Sequence, residues 1–305
     1  MEYNAPVETY TGRVKEVVIG TGGKSIKVGG ENILPLHYFE GTPANRTLVA
    51  LQIDDNAASG WSEWAVEPFK DVVADPLKWA ARCMEKGADL ICLHLDGTDP
   101  QGNNKMADEA AALVKELAAG INAPLIVYGC GDEKKDVEVL TAVSVACKGE
   151  NLLLGPAVKE NYEAIARAVS ENGHCIIAQT PMDINLEKEL NVKLLKTVPP
   201  EKIVIDPLSS AVGYGMEYSF TIIERTKQIG VMFGDVAMQM PIIADLGGEC
   251  WKTSQAKADQ RQGILWETVT AMSLLLAGAN ILVLRHPDSV RLLRETALKG
   301  AGHGN

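Results

Sequence analysis

Three carboxylates, Asp96, Asp206 and Asp245, each close a short apolar run. A carboxylate at such a point is partly desolvated and needs a partner, so each serves either structural pairing or chemistry on a ligand. Zinc or iron hydrolysis would set histidine among carboxylates, yet only His94 and His286 fall near such runs, and His94 precedes the end of its own. No metal site is expected. Cys83, Cys92, Cys130, Cys147, Cys175 and Cys250 stand far apart without C-x-x-C spacing, which argues against structural zinc and an iron–sulfur cluster. The Gly247-Gly248 turn would suit a phosphate at a helix start, but Asp245 and Glu249 flank it with negative charge. No catalytic residue is assigned.

The elements that must position these residues are legible as eight apolar runs: Leu48–Asp54, Asp89–Asp96, Pro124–Tyr128, Asn151–Leu154, His174–Ala178, Lys202–Ile205, Pro241–Ala244 and Asn280–Leu284. They are apolar on both faces, as buried parallel strands should be. Helical periodicity fills the gaps. Leu77, Ala80, Ala81 and Met84 follow Asp75-Pro76 and stop at Gly87. A second stripe, Tyr162, Ile165, Ala166 and Val169, stops at Asn172-Gly173, and a third, Ile264 to Leu275, stops at Gly278. Eight strand–helix units in succession predict a (β/α)8 TIM barrel over about residues 48–298. Ahead of it, Val14–Ile19 and Lys24–Val28 flank Thr21-Gly22-Gly23, the pattern of a β-hairpin over about 13–30 that covers the amino-terminal mouth. Nothing in residues 1–305 reads as an interdomain linker, so a single domain is expected.

In such a barrel, chemistry is built at the carboxyl ends of the strands. Barrel geometry and small or polar character there direct attention to Gly97, Thr98, Gly131, Asp132, Gly155, Pro181, Asp183, Tyr214 and Gly215. The glycines admit two readings, close approach of a flat ligand or merely a tight turn. Asp132 and Asp288 read as helix caps. The loop from Asp55 to Ala74 is long for a βα connection and carries Trp61, Trp64 and Phe69, which serve either as a lid on the barrel or as anchors for another subunit.

Composition narrows the partners. With 29 Lys plus Arg against 40 Asp plus Glu, the net charge is −11, which argues against nucleic acid and anionic membranes. The apolar stretch Gly263–Ala279 is interrupted by Glu267, Thr268, Thr270 and Ser273 and reads as a buried helix, not a span. The start of the chain, Met1 onward, lacks the basic and apolar regions of an export signal, so a cytoplasmic location is expected.

Seven strings carry a further signal: Leu34–Gly41 with Asn45-Arg46, Gly129–Asp132, Glu150–Gly155, Asp206-Pro207, Gly213–Ser219 through Glu224-Arg225, Gly263–Glu267, and Arg285–Pro287. In register from about residue 13 to 295, they closely resemble the small, delta-type subunit of the corrinoid iron–sulfur protein of the acetyl-CoA decarbonylase/synthase system. The resemblance implies a heterodimer with a large subunit that bears the [4Fe-4S] cluster, with a cobamide shared between the two. Its cobalt accepts a methyl group from methyltetrahydrofolate through a separate methyltransferase and delivers it to acetyl-CoA synthase. That is the one-carbon branch of the reductive acetyl-CoA (Wood–Ljungdahl) pathway of anaerobes. None of the five histidines follows an Asp by two residues, so the D-x-H-x-x-G signature of a cobalamin-ligating domain is absent. The alternative is a pterin-binding methyltransferase barrel acting on methyltetrahydrofolate, with Asp96, Gln179 and Asp206 holding the ring.

Overall fold

The computed structural model describes residues 6–37 and 39–298. Met1–Ala5 of the chain start, Tyr38 within the Leu34–Gly41 string, and the last seven positions of the expected domain lie outside the described residues. The predicted hairpin is β1 (Glu16–Ile19) and β2 (Ile26–Gly29), paired antiparallel with Ile19 opposite Ile26. The barrel opens with β3 (Leu48–Asp54), α1 (Glu63–Val66), α2 (Pro76–Glu85), β4 (Leu90–His94), α3 (Ala107–Gly120) and β5 (Leu125–Tyr128). It continues with α4 (Glu133–Ala146), β6 (Leu153–Ala157), α5 (Tyr162–Asn172), β7 (Cys175–Gln179), α6 (Ile184–Leu194) and β8 (Ile203–Asp206). It ends with α7 (Met216–Val231), β9 (Ile243–Asp245), α8 (Gly247–Trp251), α9 (Ser254–Ala258), α10 (Gln260–Ala277), β10 (Ile281–Leu284) and α11 (Pro287–Leu293).

The eight barrel strands are parallel and neighbour one another in sequence order, with β10 pairing back onto β3. The junction between β8 and β9 is closed by one parallel bridge, Ile205 to Ile242, and by the Ile205 N–H donating to Pro241 O at 2.9 Å. Helix boundaries follow their local signals. Asp75 caps α2 by accepting from Lys78 N–H, and Gly173 and Gly278 end α5 and α10 in the left-handed region that glycine alone adopts freely. Two boundaries differ from the sequence reading. His286, not Asp288, caps α11, because its Nδ1 accepts the Asp288 N–H. The strand expected to stop at Leu154 continues through Gly155-Pro156 to Ala157, a pair whose composition signals a turn. Helix α10 is also less buried than expected, with Leu265 and Val269 nearly half exposed on its outer face. Among the described residues no helix is long and apolar enough to cross a membrane.

Successive strand side chains alternate between the barrel interior and the helices. Leu48 and Ala50 of β3, Leu90 and Cys92 of β4, Ile126 of β5, Leu153 of β6, Cys175 and Ile177 of β7, Val204, Ile243, and Ile281 and Val283 form the interior core. Val17, Ile19 and Val28 of the hairpin belong to the same core and are wholly buried. The hairpin therefore plugs the amino-terminal mouth; burial of each of these side chains contributes at most about 2 kcal/mol. Asn151 ties the plug down by donating to Val18 O at 2.7 Å and accepting from Gly20 N–H at 2.8 Å.

Candidate functional site: the carboxyl-end mouth

The alternation that makes the interior apolar lower down continues upward, and at the last inward position of most strands it places a polar residue. These are Gln52 and Asp54 on β3, His94 on β4, Tyr128 on β5, Gln179 on β7, Asp206 on β8 and Asp245 on β9, with Arg285 directly after β10. The layer is hydrogen-bonded across strands. Asp206 Oδ2 accepts from Tyr128 Oη at 3.0 Å and Gln179 Nε2 at 2.9 Å, and its Oδ1 accepts from Leu208 N–H. His94 stacks on the Tyr128 ring at 5.0 Å, and its Nε2 lies 3.2 Å from Asp245 Oδ2, a contact ion pair without good hydrogen-bond alignment.

Burial sets the charge states. It opposes protonation of His94, but the Asp245 carboxylate overcomes it and holds the imidazole pKa well above its ordinary value. Burial alone would raise Asp245, and the His94 charge brings it down instead. Asp206 is pushed up to about 6, chiefly by burial, against the help of the Gln179 hydrogen bond. Asp54 is pushed up to about 7 by burial and by the Asp96 carboxylate beside it. The neighbouring Asp55 accepts from Gly97 N–H at 2.7 Å and pairs with Lys105 at 3.2 Å.

Two cavities open on this face. The central one, about 410 Å³, is lined by Gln52, Trp61, His94, Asp96, Asp245 and Arg285, with Ser59, Gly60 and Ser62 of the long loop above it. The second, about 400 Å³, lies beside β7 and α6 and is mainly apolar, with Val158, Pro181, Leu186, Leu190 and Leu208 in its wall. Within the long loop, Phe69 is wholly buried and packs on Trp79, Trp61 meets Trp79 edge to face at 5.3 Å, and Trp64 packs against the core. The loop folds as a lid on its own barrel, with Phe69 buried and Trp61 and Trp64 partly buried against it.

Of the residues singled out from sequence, the structure brings Gly131 and Pro181 together in the wall of the second cavity. Gly97 and Thr98 are buried beneath the mouth, Gly97 against Asp55 and Thr98 with its hydroxyl donating to Leu95 O. Asp132 and Asp183 cap α4 and α6 through the N–H groups of Lys134 and Lys135 and of Asn185 and Leu186. Gly155 lies inside β6 and not in a loop; a Cβ there would stand 2.5 Å from Ile177 Cβ. Tyr214 and Gly215 precede α7, Gly215 as its N-cap, the phenol oxygen lying 3.0 Å from both Ser254 Oγ and Gln255 Oε1, and they line neither cavity. The ring-binding set Asp96, Gln179 and Asp206 is divided, since Gln179 and Asp206 satisfy each other.

Gln52, His94, Tyr128 and Arg285 were missed as site residues, and the signal that finds them is the period of two carried to the last inward position of each strand. Asp136 was missed as well. Its carboxylate accepts from Cys130 and Gly131 N–H, shaping the turn after β5, and a Cβ on Gly129 would fall 2.1 Å from its Oδ1. Among the described residues no group of three His, Cys, Asp or Glu side chains is placed to hold a metal ion, and the six cysteines are free thiols.

The fold is similar to that of dihydropteroate synthase. The Xanthomonas albilineans enzyme with 4-aminobenzoic acid superposes with a TM-score of 0.63 at 14% identity, covering 95% of this chain and 100% of that one. The Stenotrophomonas maltophilia enzyme gives 0.59 at 12% identity, covering 86% and 95%. In sequence, the acetyl-CoA decarbonylase/synthase complex subunit delta of Methanothermobacter thermautotrophicus is 36% identical, over 96% of this chain and 77% of that one. The subunit of the same name in Archaeoglobus fulgidus is 33% identical, over 94% and 68%. A family profile described as CO dehydrogenase/acetyl-CoA synthase delta subunit matches residues 16–301, from the hairpin through the last barrel helix. The chain belongs to the CO dehydrogenase/acetyl-CoA synthase delta subunit family.

Proposed function

We propose that this chain is the barrel subunit of a methyl-carrying corrinoid protein within an acetyl-CoA decarbonylase/synthase complex. In this reading it covers a cobamide held by a larger, [4Fe-4S]-bearing subunit. The observation that carries the reading is the pair of cavities on one face, one polar between β3, β4, β9 and β10 and one mainly apolar beside β7. Together they match a ligand with a broad apolar ring system and an amide-rich rim better than a single closed pocket would. Val158, Pro181, Leu186 and Leu208 would pack on the ring system, and Gln179 and Lys159 would meet its polar edge.

The four histidines among the described residues fit a covering role and not a ligating one. His94 faces Asp245, His174 accepts from Leu152 N–H, His286 caps α11 and His37 meets Glu40 at 3.2 Å. The bound cobamide supplies the nucleophilic cobalt that carries the methyl group. The chain's own contribution is to exclude water and to keep the mouth rigid through the Tyr128–Asp206–Gln179 network. A methyltetrahydrofolate methyltransferase and acetyl-CoA synthase would be its exchange partners.

Co-expression with the larger subunit should give a one-to-one complex containing cobalt. Pro181→Trp, at an exposed position in the apolar wall, should lower the cobalt content severalfold without changing the circular dichroism. Full cobalt occupancy in that variant would remove the apolar cavity from the reading, and no cobalt in the unaltered complex would remove the reading itself.

A second reading, a pterin site, is favoured by one observation. Asp54 Oδ2 and Asp245 Oδ1 are buried without a hydrogen-bond partner, as acceptors awaiting ring N–H groups would be. Methyl transfer from methyltetrahydrofolate to free cob(I)alamin by the isolated chain, lost in Asp245→Asn, would put this reading first.

A further inference from the structure

Arg285 is 91% buried, from an exposure of 9%, and is held from every side but one. Its backbone N–H donates to Glu267 Oε1 at 2.6 Å, and that of His286 donates to Glu267 Oε2 at 3.1 Å, so a buried carboxylate on α10 fixes the strand end. Its Nε donates to Gln52 Oε1 at 2.8 Å. The guanidinium plane lies 3.9 Å from the centre of the Trp61 ring. Gly247 and Gly248 make room for it, since a Cβ at the first would stand 2.9 Å from Arg285 Cγ and one at the second 3.2 Å from Nη2.

With that much support the two terminal nitrogens still have no hydrogen-bond or ion-pair partner among the described residues. Asp245, Asp96, Glu267 and Asp54 act on the guanidinium only through space, and burial outweighs them and draws its pKa down from its ordinary value. Neither terminal nitrogen is among the buried polar atoms that lack a partner, so both open onto the cavity, and a largely buried cation without a contacting anion is not retained for stability. Beside it, Gln52 Nε2 is a second buried donor without an acceptor. Two adjacent donors that lack acceptors, both lining one cavity, specify the missing group as an oxyanion.

The charges lining the cavity set the valence. His94 faces Asp245 and Lys252 faces Glu249 at 2.7 Å, and over the whole lining His94, Lys252, Lys257 and Arg285 stand against Asp96, Asp245 and Glu249, so one positive charge is left over. We propose that the central mouth binds a monoanionic oxyanion, the carboxylate or phosphodiester of a small molecule, on the guanidinium fork of Arg285 with the Gln52 amide beside it. The lid carrying Ser59, Gly60 and Ser62 lies over the same cavity and would close on the rest of that molecule.

This site depends on neither reading above, because it needs no cobamide and no methyl donor; its test can fail while the cobalt assay succeeds. Titrate the full chain by calorimetry and thermal melting with sodium benzoate and, separately, with sodium dimethyl phosphate, against sodium chloride at equal ionic strength. At least one of the two should bind saturably and raise the melting temperature beyond the chloride control, and the stronger identifies the anion class. Arg285→Lys keeps the charge but loses the fork, and should bind about tenfold more weakly. Arg285→Met should abolish the response while the unliganded variant melts no lower than the unaltered chain. No saturable binding of either anion overturns the proposal, as does undiminished binding by Arg285→Lys, a variant that decides the matter even if Arg285→Met fails to fold.

Discussion

Lys227 and Arg285 are both buried cations, one toward each end of the same barrel, and the chain treats them oppositely. Lys227, near the plugged end, places its ammonium 2.6 Å from Glu31 Oε1 and 2.5 Å from Asn280 Oδ1, so Glu31 after β2 neutralises its charge and Asn280 before β10 accepts a second hydrogen bond from it. Arg285, at the open end, is gripped through its backbone, its Nε and its guanidinium face, yet its guanidinium meets no carboxylate at contact distance among the described residues. At the closed end polar groups serve the fold, and at the open end the fold serves polar groups left for something else.

The sharpest way to break this contrast is Lys227→Met. It leaves Glu31 buried without its cation and should cost about 3–5 kcal/mol in chemical denaturation. A loss below about 1 kcal/mol would mean that the two ends are not different in kind.

A smaller effect separates the ends by pH. Asp54, at the mouth, is held near 7, whereas in the unfolded chain it titrates near about 3.9. Between those values the folded state keeps a proton that the unfolded chain releases, so stability falls as pH rises from about 4 to 7. Asp54→Asn should remove that slope: it should match the unaltered chain near pH 4 and exceed it by about 1 kcal/mol or more at pH 8. Equal stability at both pH values would show that the carboxyl is not strained by its surroundings.

The smallest effect concerns Asp132 and Asp183, which look like site residues by position and act as caps by contact. Each replaced by alanine should lower stability by about 1 kcal/mol and leave the cobalt content of the complex unchanged. Cobalt loss at full helicity would return them to the site.

Much of this was legible in the residues because it is local. Apolar runs ending in Asp54, Asp206 and Asp245, the cap Asp75 and the stops Gly173 and Gly278 need only neighbours along the chain to act. The hairpin was legible for the same reason. The site was less so, because strands read as apolar on both faces conceal a polar inward position at their very end, where Gln52, His94 and Gln179 sit. Other features depend on partners remote in sequence. Nothing near Arg285 announces that Glu267 will hold its N–H, and nothing near Gly129 announces Asp136. Gly155-Pro156 carries a turn signal that pairing with β5 and β7 overrides.

The plug in the amino-terminal mouth also has a consequence for the order of assembly. Val17, Ile19 and Val28 leave the ribosome before any barrel strand exists to receive them, and the cylinder they fill closes only when Ile281 pairs with Leu48. Until then the hairpin presents a naked apolar face with nowhere to rest. Contacts so distant along the chain form slowly, so a nascent chain should depend on chaperone shelter until β10 emerges, and a chain lacking the hairpin should expose the lower barrel core and aggregate.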